Sequence, residues 1–149
     1  MKTLSENKKA LFNYQLLEKF EAGISLTGQE VKSIKSGRMN LAGSFVVFKG
    51  GEAFLLGANV PPYQPKNAPS DYDPKRTRKL LLTRKEINYL LGKSEQKGLT
   101  MIPLKVYTNN GKIKLEFGLA KGKQQYDKRD AIKKRELDRE MERELKARG

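Results

Sequence analysis

The chain has 149 residues, with 31 Lys or Arg against 17 Asp or Glu, for a formal net charge of +14. A surplus of that size self-repels unless a polyanion is present, so nucleic acid is the expected partner. Cys and His are both absent, which excludes disulfides, thiol catalysis and a zinc knuckle and removes the usual general base and metal ligand.

In chain order, residues 1–12 read as a polar lead-in, with Asn7, Lys8 and Lys9 just before the first strand. The segment lacks the apolar stretch of a signal peptide, and no run elsewhere is long enough to span a bilayer, so a cytoplasmic protein is expected. From Asn13 the chain reads as extended. Tyr14, Leu16, Leu17, Phe20 and Ile24 carry the apolar positions, and Gly23 marks a bend or bulge. The alternation is imperfect, and a helix over Leu11–Ala22 is the rival reading.

Thr27 and Glu30 stand at capping-box spacing. Val31 and Ile34 then share a face, Lys32, Lys35 and Arg38 project elsewhere, and Gly37 is a natural stop. A helix this short needs packing to hold it, so the strands on either side are its expected scaffold. Ser44–Phe48 is β-branched and aromatic, Lys49-Gly50-Gly51-Glu52 is a hairpin turn, and Ala53–Leu56 returns as the partner strand.

Residues 61–78 carry Pro61, Pro62, Pro65, Pro69 and Pro74. That is a long loop for a compact domain, and loops of this kind are functional or mobile. It ends in the cationic cluster Lys75-Arg76-Thr77-Arg78-Lys79. Leu80–Leu82 is a short apolar run. Thr83 and Glu86 repeat the capping box, and the stripe Ile87, Leu90, Leu91 is closed by Gly92. Leu99–Tyr107 and Ile113–Leu119 flank Asn109-Asn110-Gly111 and form the clearest hairpin, one face apolar and the other lysine-rich.

At Lys121 the character changes. From there to Gly149 the chain has 11 Lys or Arg and 7 acidic residues. Leu137, Met141 and Leu145 make a thin stripe that matches no apolar pattern in the preceding strands. Glu136–Arg139 and Glu140–Arg143 are favourable pairs, but like-charge series at spacing four oppose them. Such a helix is expected to be incomplete alone and to gain structure against a partner.

These pieces predict a mainly β fold: an antiparallel barrel of the oligonucleotide-binding (OB-fold) type with two or three short helices and a basic C-terminal tail. An open sheet with helices on one face is the alternative. Among candidate contacts, Arg78 and Lys79 at the loop's end are placed to hold phosphates. Tyr14 is either a core aromatic or a stacking platform. Gly122, between Lys121 and Lys123, lets the backbone approach a phosphate. A nuclease would need a carboxylate–metal cluster, and the ten acidic residues before Lys121 are scattered.

Several stretches, taken together and in order, resemble the SmpB family, the SsrA (tmRNA)-binding proteins of bacterial trans-translation. They are Asn7-Lys8-Lys9-Ala10 before Tyr14, Glu21-Ala22-Gly23-Ile24, Leu26–Ser33, Gly37 with Asn40-Leu41, Arg78–Leu82, and Lys121-Gly122-Lys123 followed by Asp127-Lys128-Arg129. The resemblance implies a barrel, residues 1–123, that grips the tRNA-like domain of tmRNA, without catalysis, cofactor or metal. The implied RNA-binding residues are Asn7, Lys8, Lys9, Tyr14, Glu30, Lys32, Arg78, Lys79, Lys121, Gly122 and Lys123. Glu30 would act by orienting neighbouring Lys or Arg or by accepting from a nucleotide, besides capping its helix. The resemblance further implies a tail, residues 124–149, flexible in solution and helical in the decoding centre and empty mRNA channel of a stalled ribosome. Tyr126, Asp127, Lys128, Arg129, Lys133, Lys134 and Arg135 would engage the ribosome there. The chain departs from the family pattern at Gln29, where Thr is frequent, at Gly43, where Asp is common, and at Tyr126, where His is frequent and Tyr can also stack. A structural ribosomal protein or general translation factor with the same barrel is the competing class.

Overall fold

The computed structural model describes the backbone of residues 1–122 and 127–148, and the side chains of 1–122 and 134–146. Among the described residues there are seven strands: β1 Lys2–Glu6, β2 Tyr14–Ile24, β3 Phe45–Lys49, β4 Glu52–Leu56, β5 Arg78–Leu81, β6 Leu99–Asn109 and β7 Lys112–Gly122. The helices are α1 Lys8–Asn13, α2 Gly28–Lys35, α3 Arg84–Ser94 and α4 Asp127–Arg148. The strands run in the order β1-β6-β3-β4-β5-β2-β7, and β7 pairs again with β6, so the sheet closes on itself. Every pairing is antiparallel. This is the oligonucleotide-binding-type barrel expected, with β1 added beside β3 along the free edge of β6.

Two tight turns set the hairpin registers. Gly50 and Gly51 have φ of 58° and 76°, and Asn110 and Gly111 have 52° and 77°. Positive φ at both central residues matches the right-handed twist of the flanking strands. The 11-residue strands β2 and β6 are each bent by a bulge, between Leu16 and Glu18 and between Pro103 and Lys105. Pro103, which has no N–H to donate, sits where the ladder is already broken. Gly23 is not a bulge. It pairs with both Leu81 and Lys114, and an added Cβ would lie 3.3 Å from the Leu81 side chain, so its smallness serves close approach.

The interior is filled by alternate residues of the strands, among them Val46, Leu55, Leu80, Met101, Leu115, Phe117 and Leu119. Two further clusters lie on the outside. Phe45, Ile102, Leu104 and Tyr14 pack under Ala10 of α1. Val47, Phe54 and Leu56 pack under Met141 of α4.

Three readings from sequence are corrected here. Residues 1–12 are not a lead-in but β1 and α1. Lys2–Glu6 carries a single large apolar residue, Leu4, so pairing with β6 holds it and no alternation announced it. The rival helix over Leu11–Ala22 does not form: α1 ends at Asn13 and β2 begins at Tyr14. Gly92 does not close α3, which runs on to Ser94, whose Oγ donates to Leu91 O at 3.0 Å. Gly92 is exposed and nothing lies within 4 Å of a Cβ built there. Gly92→Ala is therefore expected to stabilise the fold by about 0.5–1 kcal/mol in urea unfolding, the helix-propensity difference.

Candidate nucleic-acid interface

Glu30 sits at the start of α2 and closes the capping box. Thr27 Oγ1 accepts from Glu30 N at 3.3 Å, and Thr27 N donates to Glu30 Oε1 at 2.8 Å. The same carboxylate then receives two arginines from the end of the Pro-rich loop. Arg76 Nη2 donates to Oε1 at 2.7 Å and Arg76 Nε to Oε2 at 3.2 Å. Arg78 Nε donates to Oε2 at 2.8 Å. Glu30 is 1% exposed and Arg78 is fully buried, while the Arg76 side chain keeps 28% of its surface open.

The arginines also tie down backbone. Arg78 Nη1 donates to Ala58 O at 2.9 Å and Nη2 to Pro74 O at 3.0 Å, which fixes both ends of the loop between β4 and β5. Arg76 Nη2 reaches Ser25 O at 3.1 Å, just past β2. On α2, Ser33 Oγ donates to Pro61 O at 2.5 Å, and Tyr72 OH donates to Val60 O at 2.7 Å from within the loop. Burial works to raise the Glu30 carboxyl pKa, but the hydrogen bonds from Arg76 and Thr27 and the charges of Arg78 and Arg76 outweigh it, so the group is held below its ordinary value. Burial likewise lowers the Arg78 guanidinium against the pull of Glu30, while the bond to Glu30 raises Arg76. One carboxylate against two guanidiniums leaves the clasp with a surplus positive charge, and its open part is Arg76.

This geometry revises two expectations. Arg78 is not at a loop end facing phosphates; it is an internal strut, because a buried guanidinium must be paired and hydrogen-bonded. Glu30 is sealed from a nucleotide and holds the arginines instead, the first of the two roles considered for it. Around the clasp, Lys32, Lys35 and Arg38 are exposed on and after α2, with Arg38 Nη1 donating to Tyr63 O at 3.0 Å. Lys79 is exposed and pairs with Glu52 at 3.0 Å. Arg76 was legible only as one charge in a cationic cluster. Its partner lies 46 residues away, a separation no local pattern reports.

A second group gathers at the other end of β2, roughly 30 Å away along the strand. Tyr14 pairs with Gly122 and Gln15 with Lys121, and α1 presents Lys8 and Lys9 to solvent immediately before. Lys121 is exposed as well. Lys9, Asn13, Tyr14 and Gly43 line a shallow groove here. Tyr14 itself is 8% exposed and belongs to the outer core, the structural one of its two readings. Asn7 is buried. Its N–H donates to Leu104 O at 2.7 Å and its Nδ2 to Pro103 O at 2.9 Å, so it satisfies the carbonyls freed by the β6 bulge. It is a fold residue, not a surface contact.

Lys123 and Tyr126 lie outside the described residues, as do the side chains of Asp127, Lys128, Arg129 and Lys133. Lys134 is half-buried against the barrel, with Nζ 3.4 Å from Thr100 Oγ1; burial lowers its pKa and Asp138 opposes the shift. Arg135 is exposed. Among the described residues no helix is long and apolar enough to cross a membrane, and no acidic cluster could hold a metal ion.

The comparisons fit this architecture. The family described as "SmpB protein" matches residues 4–147. The SsrA-binding protein of Acaryochloris marina (strain MBIC 11017) is 52% identical over 145 residues, which is 97% of this chain and 94% of that protein. The SsrA-binding protein of Sulfurihydrogenibium sp. (strain YO3AOP1) is also 52% identical, over 97% of this chain and 95% of its own. A solved chain described as "tmRNA-SmpB: a journey to the center of the bacterial ribosome" superposes with a TM-score of 0.67 at 46% identity, covering 85% of this chain and 92% of that one. With the barrel, the basic surfaces and identity over nearly its full length all in agreement, the chain belongs to the SmpB family.

Proposed function

We propose that the barrel binds the tRNA-like domain of tmRNA and delivers it to stalled ribosomes for trans-translation, without catalysis of its own and in the cytoplasm. The barrel, residues 1–123, supplies affinity. The tail, residues 124–149, occupies the decoding site and the empty mRNA channel, with Tyr126, Asp127-Lys128-Arg129 and Lys133-Lys134-Arg135 as its contacts. The relatives' description as SsrA-binding proteins and the tmRNA–SmpB structural neighbour support the partner.

The observation that carries the reading is the Glu30 clasp. A buried carboxylate is costly to keep, and here it aims a partly open guanidinium, Arg76, beside Lys32, Lys35 and Arg38. A fixed guanidinium among mobile lysines suits phosphate recognition with a preferred geometry. The second basic group, Lys8, Lys9 and Lys121, gives a folded RNA another contact at the far end of β2.

Binding to a tRNA-like RNA should therefore exceed binding to random duplex DNA, and should weaken steeply with salt as counterions are displaced. Arg76→Ala should lower the salt slope by about one ion, as for any lost phosphate contact. Filter-binding titrations from about 50 to 200 mM salt test both. Equal affinity for the duplex and the RNA overturns the proposal.

A further inference from the structure

We propose that Arg38 and Tyr63 form a platform on which one unpaired RNA base stacks. The inference deepens the proposed RNA-binding role and rests on it. It starts from the end of α2. Gly37 has φ of 81°, its N–H donates to Ile34 O at 2.9 Å, and Arg38 N donates to Ser33 O at 3.2 Å. A left-handed glycine with these two bonds closes a helix tightly, and here it fixes the backbone that carries Arg38. Met39 is buried, and Asn40 exchanges two backbone hydrogen bonds with Asn59, at 2.8 and 2.9 Å. From Asn59 the chain passes through Val60 into Pro61 and Pro62, whose rings set φ. Ser33 Oγ of α2 donates to Pro61 O. Tyr63 follows directly, so both partners stand on backbone tied to α2.

The two side chains meet over that frame. Arg38 Nη1 donates to Tyr63 O at 3.0 Å, and the guanidinium carbon lies 6.0 Å from the centre of the Tyr63 ring. Both residues are exposed, Tyr63 at 36%. A cation–aromatic pair this open adds little to stability, so folding does not account for its support. What the pair offers is planar surface. Aromatic rings and guanidinium planes are what unpaired RNA bases stack on, and a duplex keeps its bases inside. Phosphate contacts for the same strand lie alongside. Arg76 is held at the start of α2 by Glu30, Lys32 and Lys35 are exposed along the helix, and Lys66 is exposed three residues after Tyr63. The helix has eight residues, a length of about 12 Å. A strand can therefore set its phosphates along α2 and lay one base on the platform beyond its end.

The chain has no Trp, so Tyr63→Trp places a single fluorescent reporter in the platform. Its emission is expected to fall at least twofold on binding RNA. Quenching by the isolated tRNA-like domain of tmRNA assigns the base to tmRNA. Quenching only by protein-free small-subunit ribosomal RNA assigns it to the ribosome. Tyr63→Ala should weaken binding to the quenching RNA by about fivefold or more, the effect of one lost base stack, with an unchanged salt slope because no charge is removed. Arg38→Lys keeps the charge and loses the plane, so affinity should fall there too at an unchanged slope, whereas a purely electrostatic role leaves it intact. RNA binding without quenching, or full affinity in both variants, overturns the platform and leaves the RNA-binding role standing. If the unaltered chain binds neither RNA, that role falls and the inference with it.

Discussion

Glu30→Gln is expected to lower stability by about 3–5 kcal/mol, the range for removing one partner of a buried ion pair. The substitution keeps an oxygen that can accept from Thr27 N, so the capping box is not what is lost. What is lost is the charge that Arg78, with no exposed surface, needs in order to stay inside. Because Gln serves as well as Glu in a capping box, a capping role alone predicts almost no loss. Urea unfolding separates the two, and an unchanged stability would show the clasp to be unimportant. Acid should act in the same direction. The Glu30 pKa is lower in the folded state than in the unfolded chain, so the unfolded state binds more protons as pH falls. The contribution is fully present above the ordinary carboxylate value of about 4.3 and is lost as pH falls through the folded value. In Glu30→Gln that part of the acid sensitivity should vanish. RNA affinity should fall further than the unfolded fraction accounts for, because Arg76 is no longer aimed. A fall strictly in proportion to unfolding would make Glu30 purely structural.

The clasp also shows where sequence reading stops. The capping box was legible because Thr27 and Glu30 are three apart and the geometry is local. The hairpins at Gly50-Gly51 and Asn110-Gly111 were legible for the same reason. Arg78 was misplaced because a cation in a Pro-rich loop normally faces water, and only the closure of the barrel brings it beneath Glu30. Asn7 was misplaced likewise: its partners are carbonyls of a bulge 96 residues on. β1 had no periodic signal at all. The partner of the Leu137–Met141 stripe is a different case, since the signal existed. Two strands without alternation and one stripe without a partner are complementary, and the local windows in which periodicity is read do not bring them together.

Truncation after Lys123 is expected to separate the protein's functions most sharply. Binding to tmRNA should survive, because the Glu30 clasp and the Lys8, Lys9 and Lys121 group all lie within the barrel. Tagging of stalled peptides should be abolished, because nothing then enters the decoding site. The sequence by itself predicts no change in stability, since the tail offers the strands no matching apolar pattern. The packing of Met141 on Val47, Phe54 and Leu56 changes that expectation. Uncovering three apolar side chains that the helix now buries should cost about 2–4 kcal/mol, less than full exposure of each would because they stay flanked by their own sheet. The exposed patch should also bind a hydrophobic dye and promote self-association. Removing charge at Asp127-Lys128-Arg129 or Lys133-Lys134-Arg135 should reproduce the loss of tagging through lost phosphate contacts, and Tyr126→Ala through lost stacking, while leaving the β3–β4 face covered. Thermal unfolding, tmRNA titration and a reconstituted tagging assay on the same variants test the division. A truncated chain with full tagging refutes the tail's role. One that also loses tmRNA binding places the boundary between the two parts after Lys123. One that keeps the stability of the full chain shows that the hold of α4 on the barrel is too weak to count, and the apolar outer face must then find its cover elsewhere.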